Sequence, residues 1–179
     1  MDIPLEPLRV ANAVINSVNP QDLTDDDLYR LQHIFPEQTV IGALDLIDRG
    51  NVLKYTTAWG HTEYEVIGSS GTYLVLLDVS SAGYPYFCSC PAFVHYVLQQ
   101  KNHTMCKHIL ATRLANRLLV CIEREMQPDD LAALYIRQFS LTDQDQSADN
   151  LAAAEPAPIS RLQAQDAVSI QKQAILRDI

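Results

Sequence analysis

Three of the four cysteines in this 179-residue chain fall in two short doublets, Cys88-Ser89-Cys90 and Cys106-Lys107-His108, with fifteen residues between them. On a β-strand, residues i and i+2 face the same side, so Cys88 and Cys90 can offer both sulfurs to one point while Ser89 faces away. Cys106 and His108 would diverge by about 200° on a regular helix, which places them in the turn that begins one. Two thiolates and a thiolate–imidazole pair make a tetrahedral Cys₃His set suited to zinc. Soft sulfur donors argue against magnesium or calcium, and the absence of further clustered cysteines argues against an iron–sulfur cluster. Four protein ligands close the shell, so a single zinc here is expected to be structural, stabilising the fold instead of activating a water. His95 and His103 lie between the doublets and are alternative nitrogen donors to His108. Cys121, among Leu118, Leu119, Val120 and Ile122, reads as a small buried apolar residue.

The elements needed to position these ligands are legible on both sides of the doublets. Leu8, Ala11, Ile15 and Val18 follow helical spacing until Asn19-Pro20. Thr24 can cap a second helix carrying Leu28, Leu31 and Ile34, and Pro36 opens a third with Val40, Leu44 and Ile47 that Gly50 ends. From Val52 the period changes to two. Val52–Trp59 and Thr62–Ile67 read as strands joined by a two-residue Gly60-His61 turn, with His61, like His33 on its helix, a surface residue. The turn Gly68-Ser69-Ser70-Gly71 leads into a third strand, Thr72–Val79, and Ser80-Ser81-Ala82-Gly83 into a fourth, Tyr84–Cys90. Pro91 then starts a helix over Ala92–Gln100, and a polar loop returns the chain to Cys106. The fold class is therefore α+β: N-terminal helices, a four-stranded antiparallel meander with one face against the helices, a zinc-bound strand–helix–turn–helix, and C-terminal helices. Residues 1–35 form an acidic helical extension, 36–140 the α+β domain with its finger at about 84–115, and 141–179 a polar linker with a possible terminal helix carrying Leu162, Ala167, Ile170 and Ala174.

Composition narrows the functional classes. Hydrophobic residues make up 47% of the chain and charged residues 20%, as in an ordinary globular domain, and the formal net charge of −9 is the wrong sign for unaided binding to a phosphate backbone. The acid is unevenly placed: residues 1–50 hold nine acids and three bases, 51–140 seven of each, and 141–179 six and three. The neutral centre contains a locally basic stretch, Lys101, Lys107, Arg113, Arg117 and Arg124. The opening Met1-Asp2-Ile3-Pro4 has neither a basic nor an apolar leader region, and no long apolar run follows. Neither a secretory signal nor a membrane association is expected, and a reducing compartment suits metal-binding cysteines.

The doublet pattern C-x-C-x15-C-x-H resembles the SWIM-type zinc finger. Phe87-Cys88-Ser89-Cys90-Pro91-Ala92-Phe93 and Cys106-Lys107-His108-Ile109-Leu110-Ala111 look like the SWIM subunit of the Shu complex, where an alanine three residues after the metal histidine belongs to the motif. Ala43-Leu44-Asp45-Leu46-Ile47-Asp48 and Tyr64-Glu65-Val66-Ile67-Gly68-Ser69-Ser70 share that likeness, which covers about residues 36–120. The resemblance implies a nuclear, non-catalytic subunit that pairs with a paralogue of the RecA-type recombinase. Through that partner it would associate indirectly with single-stranded DNA and promote recombinase filament assembly in homologous recombination repair. The residues themselves support a zinc-stabilised interaction module with no evident nucleophile–base pair or phosphate loop. They predict a partner surface on the helix after His108, with Leu110, Leu114, Leu118 and the following apolar positions. The alternative is direct single-stranded DNA binding through Lys101 to Arg124. A thiol enzyme using Cys88 or Cys106 with His108 is a remote third reading.

Overall fold

The computed structural model describes residues 5–79 and 84–139. Three helices come first: α1 (Leu5–Ser17), α2 (Asp25–Ile34) and α3 (Glu37–Asp48). Their starts and stops follow the sequence signals. Thr24 and Asp27 form a reciprocal capping box, with Asp27 N donating to Thr24 Oγ1 at 3.2 Å and Thr24 N to the Asp27 carboxylate at 3.1 Å. Gly50 ends α3 in the left-handed region at φ 64°. The apolar stripe Leu8, Ala11, Ile15 and Val18 is buried, as are Leu31, Val40, Ala43 and Leu46. Helices α1 and α2 therefore share one core with the rest of the fold.

The sheet has five strands: β1 (Val52–Thr57), β2 (Thr62–Ile67), β3 (Thr72–Leu76), β4 (Phe87–Cys88) and β5 (Ile122–Met126), in the order β4-β3-β2-β1-β5. The first four form the expected antiparallel meander. The fourth is shorter than the run Tyr84–Cys90, because pairing with β3 is confined to Phe87 and Cys88. The β1–β2 turn also differs: Thr57 N donates to His61 O at 2.9 Å and Gly60 N to Thr57 O at 3.0 Å, with Gly60 at φ 85°. The loop is thus the three residues Ala58-Trp59-Gly60, with glycine in the left-handed position, and Trp59 belongs to the turn.

Strand β5 is the larger departure. The finger's second helix, α4, ends at Arg117, and Leu119 adopts φ 58°. The chain then pairs parallel to β1, Leu53 opposite Ile122 and Thr57 opposite Met126. Arg124 lies on this strand, and Cys121 beside it is half-buried against the core instead of fully buried.

Both sheet faces are covered, where the sequence had predicted one. Val52, Tyr64, Val66, Val75 and Cys88 pack under α1–α4. On the other face α5 (Pro128–Phe139) brings Leu131, Leu134 and Tyr135 onto Tyr55, Leu74, Leu76 and Met126. Glu63 and Glu65 point to this second face and are buried, although acids alternating along a strand ordinarily signal solvent. Glu65 accepts from Tyr55 Oη at 2.8 Å and from Arg137 at 3.3 Å; Glu63 accepts from Tyr135 Oη and pairs with His61 Nε2 at 2.8 Å. Among the described residues, no helix is long and apolar enough to cross a membrane. The linker and terminal helix expected after residue 140 lie outside the described residues.

Candidate metal centre

The strand-to-helix passage gathers the four expected ligands from three local structures. Cys88 ends β4, and Cys90 follows it where the chain turns into the helical segment begun by Pro91. The intervening Ser89 faces the opposite side of the sheet: its Oγ accepts from Leu74 N at 3.0 Å and donates to Gln138 of α5 at 3.2 Å. Strand alternation thus separates the sulfurs from the serine as the doublet predicts. The segment after Cys90 is a π-helix, Phe93–Gln99, instead of a regular α-helix. Its buried Phe93 and Val97 anchor it, and Phe93 N donates to Cys90 Sγ at 3.3 Å.

The second doublet sits at the start of α4 (Lys107–Arg117), with Cys106 as the N-cap residue in extended conformation and His108 in the first turn. An extended N-cap rotates its side chain out of the helical screw, which removes the divergence that a regular helix would impose. Ala111, one turn after His108, is fully buried, so its methyl lets α4 lie close under the sheet. Tyr84 Oη donates to Thr104 O and ties the start of the finger to the loop that returns to Cys106.

The donor atoms of Cys88, Cys90, Cys106 and His108 lie within 4.8 Å of one another, and all four side chains are buried. Cys88 Sγ and His108 Nδ1 are 3.8 Å apart, close to the edge of a tetrahedron with metal–sulfur bonds of about 2.3 Å. The electrostatics point the same way. Hydrogen bonds from the Cys106 and Cys88 thiols hold Cys90 far below the usual thiol range. The hydrogen-bonded neighbours Cys106 and Cys90, together with burial, push Cys88 far above it, and burial pushes Cys106 up to about 12. Three buried thiolates at this spacing repel one another and require a cation among them. The donor set suits one zinc ion, with every coordination position supplied by protein.

The imidazole is oriented by an unforeseen residue. Tyr73 stacks on His108 with ring centroids 4.4 Å apart and planes at 29°. Nε2 of His108 is buried and makes no hydrogen bond among the described residues, so stacking takes the orienting role that a second hydrogen bond usually fills. The turn before β3 makes room for this ring: a Cβ on Gly68 would approach Tyr73 Cε2 to 2.8 Å. Tyr73, Val75 and Cys88 lie on one face of adjacent strands, a relation that registers between strands reveal and spacing along the chain does not.

The other candidates separate from the cluster. His95 bonds Gln99 and Gln100, and His103 bonds Asn102; neither joins the four donors. Leu110 and Leu114 are fully buried, so they serve the core and cannot form the predicted partner surface. The basic stretch is divided among elements. Arg113 bonds Asn12, Asn16 and Tyr86, Arg117 Nε donates to Val18 O at 2.8 Å, and Arg124 is on β5.

Residues 73–113 match the SWIM zinc finger family. Zinc finger SWIM domain-containing protein 7 of Mus musculus is 35% identical over 113 residues, covering 63% of this chain and 70% of the mouse protein. The Homo sapiens protein of the same name is 30% identical over 65% of this chain and 79% of its own length, and that of Danio rerio 28% identical over 66% and 80%.

Proposed function

The chain belongs to the family of zinc finger SWIM domain-containing protein 7, and on that premise we propose that it is a non-catalytic, zinc-stabilised subunit of a Shu-type complex. In this reading it pairs with a RecA-type recombinase paralogue in the nucleus and promotes recombinase assembly on single-stranded DNA during homologous recombination repair. The observation that carries the proposal is the closed Cys88, Cys90, Cys106, His108 shell, sunk in the core beneath α4. A metal enclosed by four protein donors has no open position for substrate, so its contribution is to the fold that a partner recognises. Two of the four stretches that resemble the Shu-complex subunit, 87–93 and 106–111, lie on the elements that build this shell.

Direct DNA binding through the stretch from Lys101 to Arg124 is the weaker reading, because its bases are spread over separate elements: Lys101 precedes α4, Lys107, Arg113 and Arg117 are on α4, and Arg124 is on β5. The test is to purify the zinc-loaded chain with its recombinase paralogue, measure zinc per chain, and follow recombinase assembly on single-stranded DNA. One zinc per chain, a stable pair and faster assembly with the pair support the proposal. A zinc-loaded chain that ignores the paralogue yet binds single strands with a steep salt dependence overturns it.

A further inference from the structure

Helix α4 ends in an unusual way. Val120 N donates to Ala115 O at 3.0 Å and Leu118 N to Leu114 O at 2.8 Å, and Leu119 holds the left-handed position between them at φ 58°. That position ordinarily belongs to glycine, because a Cβ there meets the following carbonyl. A leucine at this place is disfavoured by its backbone, and with 77% of its surface exposed it gains little from burial. Val120 beside it is 49% exposed. A backbone outlier joined to an exposed apolar side chain is a candidate for function.

Leu119 also lines a cleft of about 290 Å³ between the C-terminal ends of α1 and α4, with Asn16, Leu77, Arg113, Asn116 and Arg117 around it. Two of these side chains are guanidinium groups, in a chain with 22 acids and 13 bases. Neither has a carboxylate partner among the described residues, whereas Arg9, Arg30, Arg49 and Arg137 each have one. Arg113 is fixed by Asn12, Asn16 and Tyr86 and stacks over the Tyr86 ring at 5.0 Å; Arg117 is fixed through Nε alone. Both are half-buried, held in place, and keep donors to spare. Pre-positioned guanidinium donors beside an exposed leucine match a carboxylate side chain followed by an apolar one.

We propose that this cleft is the docking site for a partner protein, receiving an aspartate or glutamate on Arg113 and Arg117 and packing an adjoining apolar side chain on Leu119. The inference rests on the pairing proposed above and locates its surface. It narrows the surface expected on this helix to its exposed end, since Leu110 and Leu114 are buried while Leu119 and Val120 are exposed.

The full chain, loaded with zinc, is titrated with its recombinase paralogue by calorimetry. Leu119→Gly relieves the left-handed strain, so its unfolding midpoint is unchanged or higher, while the pairing constant weakens at least tenfold. Arg117→Glu weakens pairing to a similar extent and is rescued by an acid-to-arginine exchange in the paralogue. Leu119→Met retains pairing. If Leu119→Gly and Arg117→Glu pair as wild type does, the cleft is not the docking site and the pairing itself stands. If the wild-type chain does not pair at all, both readings fall. If the two variants lose affinity for a single-stranded oligonucleotide and none for the paralogue, the cleft serves nucleic acid and the proposal is overturned.

Discussion

Replacing Cys106 by serine separates two roles of that residue by the sign of the result. Cys106 is the N-cap of α4, and its side chain makes no capping hydrogen bond. Serine is a preferred N-cap, so the substitution by itself should stabilise the helix by about 0.5–2 kcal/mol. Cys106 is also one of four donors gathered within 4.8 Å. Structural zinc contributes roughly 10–16 kcal/mol in zinc-finger peptides, and an even share of that for one of four ligands is about 2.5–4 kcal/mol. The net loss is then about 2 kcal/mol, which for a chain of this size lowers the unfolding midpoint by about 4–8 °C. The assay is thermal unfolding of wild type and Cys106→Ser in buffered zinc and again with a strong chelator, with zinc per chain measured in parallel. In zinc the variant is less stable and binds substoichiometrically. In chelator the order reverses, because only the capping gain survives. A variant as stable as wild type in zinc, or a chelator that lowers both proteins equally, would refute the metal reasoning.

Other expectations follow from single contacts. Tyr73→Ala removes the ring stacked on His108 and should weaken zinc binding by about 10-fold or more, read by competition with a chromophoric chelator; unchanged affinity would show that stacking does not orient the imidazole. Thr24→Ala breaks the capping box and leaves the buried Asp27 with fewer partners, costing about 1–2 kcal/mol in urea unfolding, with no change in zinc content. Tyr135 is pushed up from 10.0 to about 12 by burial and by its hydrogen bond to Glu63. Its contribution is therefore complete below pH 10 and is lost as pH rises to about 12, so Tyr135→Phe, less stable at neutral pH, should show a shallower alkaline decline.

The sequence was most informative where chemistry and periodicity coincided. Cys88 and Cys90 are two residues apart on a strand, and Cys106 and His108 fall at a helix start, so the ligand set could be derived without the fold. Helices α1–α3 were readable because each carries one apolar stripe and a recognisable end, such as Thr24 or Gly50. Strand β5 was hidden: Ile-Glu-Arg-Glu-Met has charges at three successive positions, since an edge strand lies on the sheet's margin with its middle residues exposed. The burial of Glu63 and Glu65 is not legible along the strand, because it depends on α5, which supplies Tyr135 and Arg137 from 72 residues away. Tyr73 was missed for a related reason, as its place over His108 arises from sheet register and the room left by Gly68.

The parallel seam between β1 and β5 sets an order of events during folding. Lys54 and Glu123, which pair across it, are 69 residues apart, and the whole finger lies between them. During synthesis β1 emerges long before β5, and its outer edge must wait with unsatisfied backbone groups. Joining two strands across so long a loop is slow, and a metal crosslink from Cys88 to His108 shortens the effective loop before the seam closes. A zinc ion bound by the four donors would hold α4 in place and bring β5 near its neighbour, so refolding with a chelator is expected to be slower than refolding in zinc, as read by stopped-flow fluorescence. Until β5 pairs, that edge of β1 is an open strand edge, the part of the sheet through which a metal-free chain would associate with another.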